Sequence, residues 1–187
     1  MTVIRQDDVI QSVADALQYI SYYHPKDFID AMAAAYEREE NPAAKDAIAQ
    51  ILINSRMCAT GHRPICQDTG IVTVFVHVGM NVTWDAELSL DDMINEGVRR
   101  AYQLPDNVLR ASVLADPDGK RQNTKDNTPA IIHHKIVPGD KVDIHVAAVD
   151  QFQPLGVKPD RVRVAKKDFL ERRDLAWQVQ RRLGERR

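Results

Sequence analysis

The run Ile71-Val72-Thr73-Val74-Phe75-Val76-His77-Val78, held between Gly70 and Gly79, restricts the fold more than any other stretch of this chain. β-branched and aromatic residues in unbroken succession favour a pleated strand, and burial in a sheet keeps so much apolar surface from water. What precedes it is helical. Ile10, Val13, Leu17 and Ile20 recur at helical spacing and stop at His24-Pro25. Ile29, Met32, Ala33 and Tyr36 mark a second helix. Asn41-Pro42 reads as a cap followed by proline in the first helical position, opening a third helix with the stripe Ile48, Ile51, Leu52 and Ser55.

Beyond the strand, Ser89 with Asp91 and Asp92 caps a helix carrying Met93, Ile94, Val98 and Ala101. Residues 108–114 read as extended, Asp116-Pro117-Asp118-Gly119 as a turn, and 120–128 as a polar run. Two strands, 131–137 and 141–146, flank Pro138-Gly139-Asp140 and predict a hairpin. Helices and strands mix without strict alternation. The expected fold class is therefore α+β, with irregular α/β layers: N-terminal helices, then a mixed sheet with helices, then a tail helix.

Charge divides the chain. Residues 149–187 hold eleven Lys/Arg against six Asp/Glu, whereas residues 1–148 hold fourteen against twenty-one, so +5 and −7 make up the formal net charge of −2. The expected organisation is a body over 1–148 and an atypical basic tail over 149–187, where Phe169, Trp177, Val179 and Leu183 suggest an amphipathic helix. A net charge of −2 argues against a general nucleic-acid binder. No apolar run approaches the roughly 18 residues of a membrane span, and the acidic N-terminus is unlike a signal peptide. A cytoplasmic protein with reduced thiols is expected.

Chemistry concentrates in Arg63-Pro64-Ile65-Cys66-Gln67-Asp68-Thr69-Gly70. A cysteine in a polar loop beside an arginine suits a nucleophile or a metal ligand, although the commonest fate of a free cysteine is a small buried hydrophobe. Cys58, at a helix end, reads as packing. Gln67 and Asp68 can orient a hydroxylated substrate or a water. Arg110 offers a fork for a carboxylate, or serves as a surface arginine. The run 123–130 (NTKDNTPA) says only that the loop is polar and structured. Two cysteines make no self-contained metal site. His133 and His134 point to opposite faces of a strand, and His77, His145 and His24 read as packed or surface imidazoles. No phosphate loop, nucleophile elbow or zinc-binding pair occurs.

Across the body, segments 15–25 (DALQYISYYHP), 44–58 (AKDAIAQILINSRMC), 61–75 (GHRPICQDTGIVTVF), 107–112 (NVLRAS) and 123–130 resemble the single-chain bacterial class I fumarate hydratases. The resemblance implies reversible hydration of fumarate to L-malate at a [4Fe–4S] cluster, held by three cysteines with one iron open as a Lewis acid. It implies Cys66 as the first cluster ligand, Gln67 and Asp68 in the substrate pocket, and Arg110 on a substrate carboxylate. Asp68 would orient a catalytic histidine that lies later in the family's chain. A homodimer is expected of the full-length family, with no nucleic-acid or membrane partner.

The resemblance stops near residue 148. Family members continue through Lys-Gly-Gly-Gly-Ser-Glu-Asn and the two remaining cluster cysteines, whereas here Val149-Asp150-Gln151-Phe152 follows. The expectation is an incomplete N-terminal portion, inactive alone and unable to hold the cluster stably. Arg181-Arg182-Leu183-Gly184-Glu185-Arg186 has a possible coding sequence that, shifted by one nucleotide, reads Gly-Gly-Ser-Glu-Asn, which suggests a frameshifted tail. The rival readings are a non-catalytic truncated paralogue acting as an interaction module, and a related hydro-lyase for tartrate or mesaconate.

Overall fold

The computed structural model describes residues 2–66 and 70–149, the side chains as far as 148. Gln67, Asp68, Thr69 and the expected tail helix lie outside the described residues.

Its elements run β1 (Thr2–Arg5), α1 (Gln6–Tyr22), α2 (Lys26–Arg38), α3 (Pro42–Gly61), β2 (Ile71–Gly79), β3 (Val82–Asp85), α4 (Leu90–Tyr102), β4 (Ile131–Val137) and β5 (Val142–Val149). Helices with mixed sheets make this an α+β fold. The four helices fall where the apolar spacing and the caps put them. Asn41 accepts from the amides of Ala43 and Ala44 at 3.0 and 3.3 Å. Ser89 Oγ accepts from Asp92 N at 3.1 Å. Each side chain thereby satisfies amides that the first helical turn leaves without a partner.

β2 is the middle strand of a sheet ordered β4-β2-β5, parallel to β4 and antiparallel to β5. The expected hairpin between the last two strands does not form, because β2 lies between them. The connection through Pro138-Gly139-Asp140 instead strides over the end of β2. Gly79 N donates to Lys141 O at 2.8 Å, Met80 N to Val137 O at 2.9 Å, and Asn81 N to Gly139 O at 2.9 Å. A Cβ on Gly79 would stand 2.7 Å from the carbonyl oxygens of both Gly139 and Lys141, so the stride requires glycine there. β1 and β3, which carry no sequence signal strong enough to name, pair in parallel as a separate two-stranded sheet.

The core joins one face of the larger sheet to two helices. Val72, Val74 and Val76 of β2, with Ile144 and Val146 of β5, pack with Val9, Ile10, Val13 and Leu17 of α1 and with Met93, Ile94, Val98, Ala101 and Tyr102 of α4. The opposite face of the sheet is half-buried and aromatic. His133 stacks on Phe75 with ring centroids 4.9 Å apart, and His77 meets His145 edge-on at 5.6 Å. His134 lies on the other face, its Nε2 2.6 Å from Asp91 Oδ1 of α4. Adjacent histidines on opposite faces follow from the two-residue period of a strand.

α2 and α3 are packed more lightly. No α2 residue is fully buried, and α3 buries only Ser55, Cys58 and Ala59 among its residues. Ile51, expected on the inner stripe of α3, is 43% exposed. The buried side of α3 has turned toward its C-terminal end, where it meets α1.

Candidate functional site

The C-terminal end of α1 is the hub on which the chemistry-bearing segments meet. Gln18, buried, donates from Nε2 to Ala101 O at 2.6 Å and to Asn107 O at 3.0 Å, while Asn107 Nδ2 donates back to Gln18 Oε1 at 2.7 Å. Three residues later on the same helix, Ser21 O accepts from Ile65 N at 2.8 Å. One turn of α1 therefore anchors both the run that carries Arg110 and the loop that carries Cys66. Three residues of helix rise about 4.5 Å, so the two anchors are close neighbours. Buried amides paired in this way are costly to break, because each partner would be left unsatisfied away from water.

The Cys66 loop is clamped on its near side by α3. His62 takes the left-handed conformation (φ 48) after Gly61 and stacks on Tyr22 at 4.7 Å. Asn54 Nδ2 donates to Ile65 O at 3.3 Å. Beneath the loop, Cys58 Sγ donates to Pro64 O at 3.6 Å and to Asn54 Oδ1 at 3.7 Å. Burial pushes the Cys58 thiol above its ordinary pKa, and the neighbouring Cys66 adds to the shift. Nearby, His24 Nδ1 lies 3.0 Å from Ser55 Oγ, and burial lowers the pKa of that imidazole. Cys58 is thus the packed thiol, as the sequence suggested, and Cys66 is the exposed one.

A third element, the polar run before β4, closes the far side of the loop. Asn127 is completely buried at 0% exposure, with φ 60. Its Oδ1 accepts from Ser112 N at 2.7 Å and Val113 N at 3.2 Å, and its Nδ2 donates to Gly70 O at 3.1 Å. Ser112 Oγ donates to the same Gly70 carbonyl at 3.0 Å. Gly70 ends the cysteine loop, so Asn127 and Ser112 tie it to the Arg110 run. The amides of Ser112 and Val113 thus go to a side chain, and residues 108–114 form no ladder beyond the isolated bridge of Leu114 with Asn123. Neither Asn127 nor Ser112 stood out in the sequence. The available signal was the density of hydrogen-bonding side chains in 123–128, which names no single residue.

Arg99 anchors this third element to α4. Its Nε lies 3.1 Å from Asp126 Oδ2 and its Nη1 2.5 Å from Glu96 Oε2, and Arg100 Nε is 3.1 Å from Glu96 Oε1. Burial raises the Asp126 carboxyl, but bonds from Thr128 and Arg99 outweigh it and hold the pKa below the ordinary 3.8. Burial likewise raises Glu96, and bonds from Arg99 and Arg100 bring it below 4.5. Both groups bind protons less readily folded than unfolded. Their contribution to stability is therefore complete above about pH 4.5 and is lost as the pH falls through the lowered values. We expect Asp126→Asn and Glu96→Gln to flatten the acid limb of a stability–pH profile while changing its alkaline side little. An unchanged acid limb in the double variant would show that the network does not contribute.

Of the four residues singled out for the site, the described residues place two. Cys66 is exposed on its clamped loop, and Arg110 is exposed two residues before Ser112. Gln67 and Asp68 lie outside the described residues. Among the described residues, no group of three or more His, Cys, Asp or Glu is arranged to hold a metal ion. With two cysteines in the whole sequence and Cys58 buried, these residues do not by themselves fit a [4Fe–4S] cluster. Among the described residues, no helix is long and apolar enough to cross a membrane.

The Cys66 loop and the Arg110 run are thus both anchored on α1. The family model for fumarate hydratase (Fumerase) matches residues 10–149, and the chain belongs to that family. The match begins in α1 and ends with β5, so it takes in every segment that builds the site. A relative, the putative L(+)-tartrate dehydratase subunit alpha of Methanocaldococcus jannaschii, is 29% identical over 91 residues, which cover 49% of this chain and 32% of the relative. The chain thus matches less than two thirds of that relative's length.

Proposed function

We propose that this chain is the N-terminal part of a class I fumarate hydratase, serving the reversible hydration of fumarate to L-malate. The observation that carries the reading is the joint anchoring of the Cys66 loop and the Arg110 run on one turn of α1, within the region that the family model matches. In this reading Arg110 grips a substrate carboxylate through its planar fork. Gln67 and Asp68 orient the substrate and a histidine supplied from outside this chain. Cys66 contributes one thiolate, and the other ligands of a [4Fe–4S] cluster are supplied from elsewhere. The assembled enzyme is a cytoplasmic homodimer, and the isolated chain is inactive.

A second reading, dehydration of tartrate, is supported by the name of the relative from Methanocaldococcus jannaschii. Fumarate, L-malate and tartrate are all dicarboxylates, so all suit an arginine fork.

The test joins residues 1–148 to the remainder of a homologous fumarate hydratase. The chimera is expected to dehydrate L-malate. Within it, Cys66→Ser should abolish turnover, and Arg110→Ala should weaken it by about 2–5 kcal/mol, the cost of breaking a buried charge pair. Turnover of tartrate in preference to malate would select the second reading. Normal activity in Cys66→Ser would remove the ligand assignment.

A further inference from the structure

The two cysteines of this chain, one buried and one exposed, stand on either side of a single chain reversal. α3 stops at Gly61, His62 turns the backbone, and Arg63 N donates back to Cys58 O at 3.1 Å. This reversal lays the Pro64 carbonyl against the Cys58 thiol at 3.6 Å. Ile65 is fixed from two sides, by Ser21 O at 2.8 Å and by Asn54 Nδ2 at 3.3 Å. Cys66 is the next residue, two positions past the carbonyl that touches Cys58. Two residues of chain reach at most about 7 Å. A disulfide asks for Cβ atoms about 3.8 Å apart.

We propose that Cys58 and Cys66 form a redox-modification site, in which Cys58 resolves oxidised Cys66 into an intrachain disulfide. The oxidant class is a hydroperoxide. The Cys66 sulfur attacks the terminal peroxide oxygen and the O–O bond breaks. The other oxygen leaves as alcohol or water with the thiol proton, and Cys66 becomes a sulfenic acid. The Cys58 sulfur then attacks the Cys66 sulfur, the S–O bond breaks, and water leaves with the Cys58 proton. Two thiols have lost two electrons and two protons, and the peroxide has been reduced. The buried position of Cys58 shields that sulfur from direct oxidation while holding it under the loop, so that it reacts only once Cys66 has been oxidised. The disulfide spares Cys66 from irreversible over-oxidation and blocks it as a ligand until it is reduced. The proposal depends on the loop geometry and not on which dicarboxylate the enzyme takes.

The experiment treats the full chain, reduced and dilute, with a slight excess of hydrogen peroxide, followed by intact mass, thiol titration and peptide mapping. Both thiols are expected to disappear, with loss of two hydrogens per chain, a linked Cys58–Cys66 peptide, and full recovery on adding dithiothreitol. In Cys58→Ala and Cys58→Ser, Cys66 should instead be trapped by dimedone as a sulfenic acid and proceed to the sulfinic acid. The wild-type map decides the matter even if a variant folds poorly. Unlinked sulfinic acid on wild-type Cys66, or linkage only between chains, would overturn the proposal.

Discussion

Asn127→Ala is expected to lower the unfolding free energy by about 2 kcal/mol and to release the cysteine loop. The side chain is at 0% exposure and holds Ser112 N, Val113 N and Gly70 O together. Alanine removes the acceptor of two part-buried amides. A buried unsatisfied group costs roughly 1–3 kcal/mol, and Gly70 O is spared part of that cost by its second bond from Ser112 Oγ. The backbone adds to the loss, because φ 60 suits asparagine better than alanine. Asn127→Gly separates the two causes: it keeps the conformation and loses the hydrogen bonds. Urea unfolding gives the free energies, and hydrogen exchange at Ser112 and Val113 reports the local release. If alanine and glycine both cost less than about 0.5 kcal/mol, the surface-like value, the clasp does not hold the loop.

Gly97 is the second sensitive position, and leucine there is expected to abolish folding. Glycine inside α4 sacrifices about 1 kcal/mol of helix propensity relative to alanine. The compensation is contact with α1. A Cβ at Gly97 would stand 2.7 Å from Ile10 O and 2.7 Å from Val13 Cβ. Backbone and a fully buried valine cannot yield as a flexible side chain would, so the helices themselves must separate. Gly97→Ala should therefore be net destabilising by about 1–3 kcal/mol despite its better propensity, the range for overpacking a filled core. Separation of α1 from α4 also strains the bonds from Gln18 to Ala101 and Asn107, so the Arg110 run should loosen with the core. A thermally stabilised Gly97→Ala, measured by circular dichroism, would mean that the close approach does not constrain the interface.

Local chemistry settled much of this protein in advance. The positions of the four helices followed from apolar spacing and from side chains that cap their own helix starts, Asn41 and Ser89. The buried strand at Ile71–Gly79 followed from its composition, and the α+β class from the mixture. The resemblance in the cysteine loop led to the family, because a contiguous run of residues is visible without a fold. Cys66 and Arg110 could be named from such runs, but the anchoring of their two segments on one turn of α1 could not, since Gln18 and Asn107 lie 89 residues apart.

Tertiary structure alone decided how the strands are ordered. Pro138-Gly139-Asp140 has the composition of a hairpin turn, yet the local signal carries no information about a strand inserted between its flanks. β2 takes that place because its apolar face completes the core with α1 and α4, and because Gly79 lets the connection pass over its end. The same holds for Asn127. A polar loop reads the same whether its asparagine faces water or is buried among three backbone partners, and only the packed chain distinguishes the two. Sequence determines what each segment can be; long-range burial and hydrogen bonding determine which segments it is placed against.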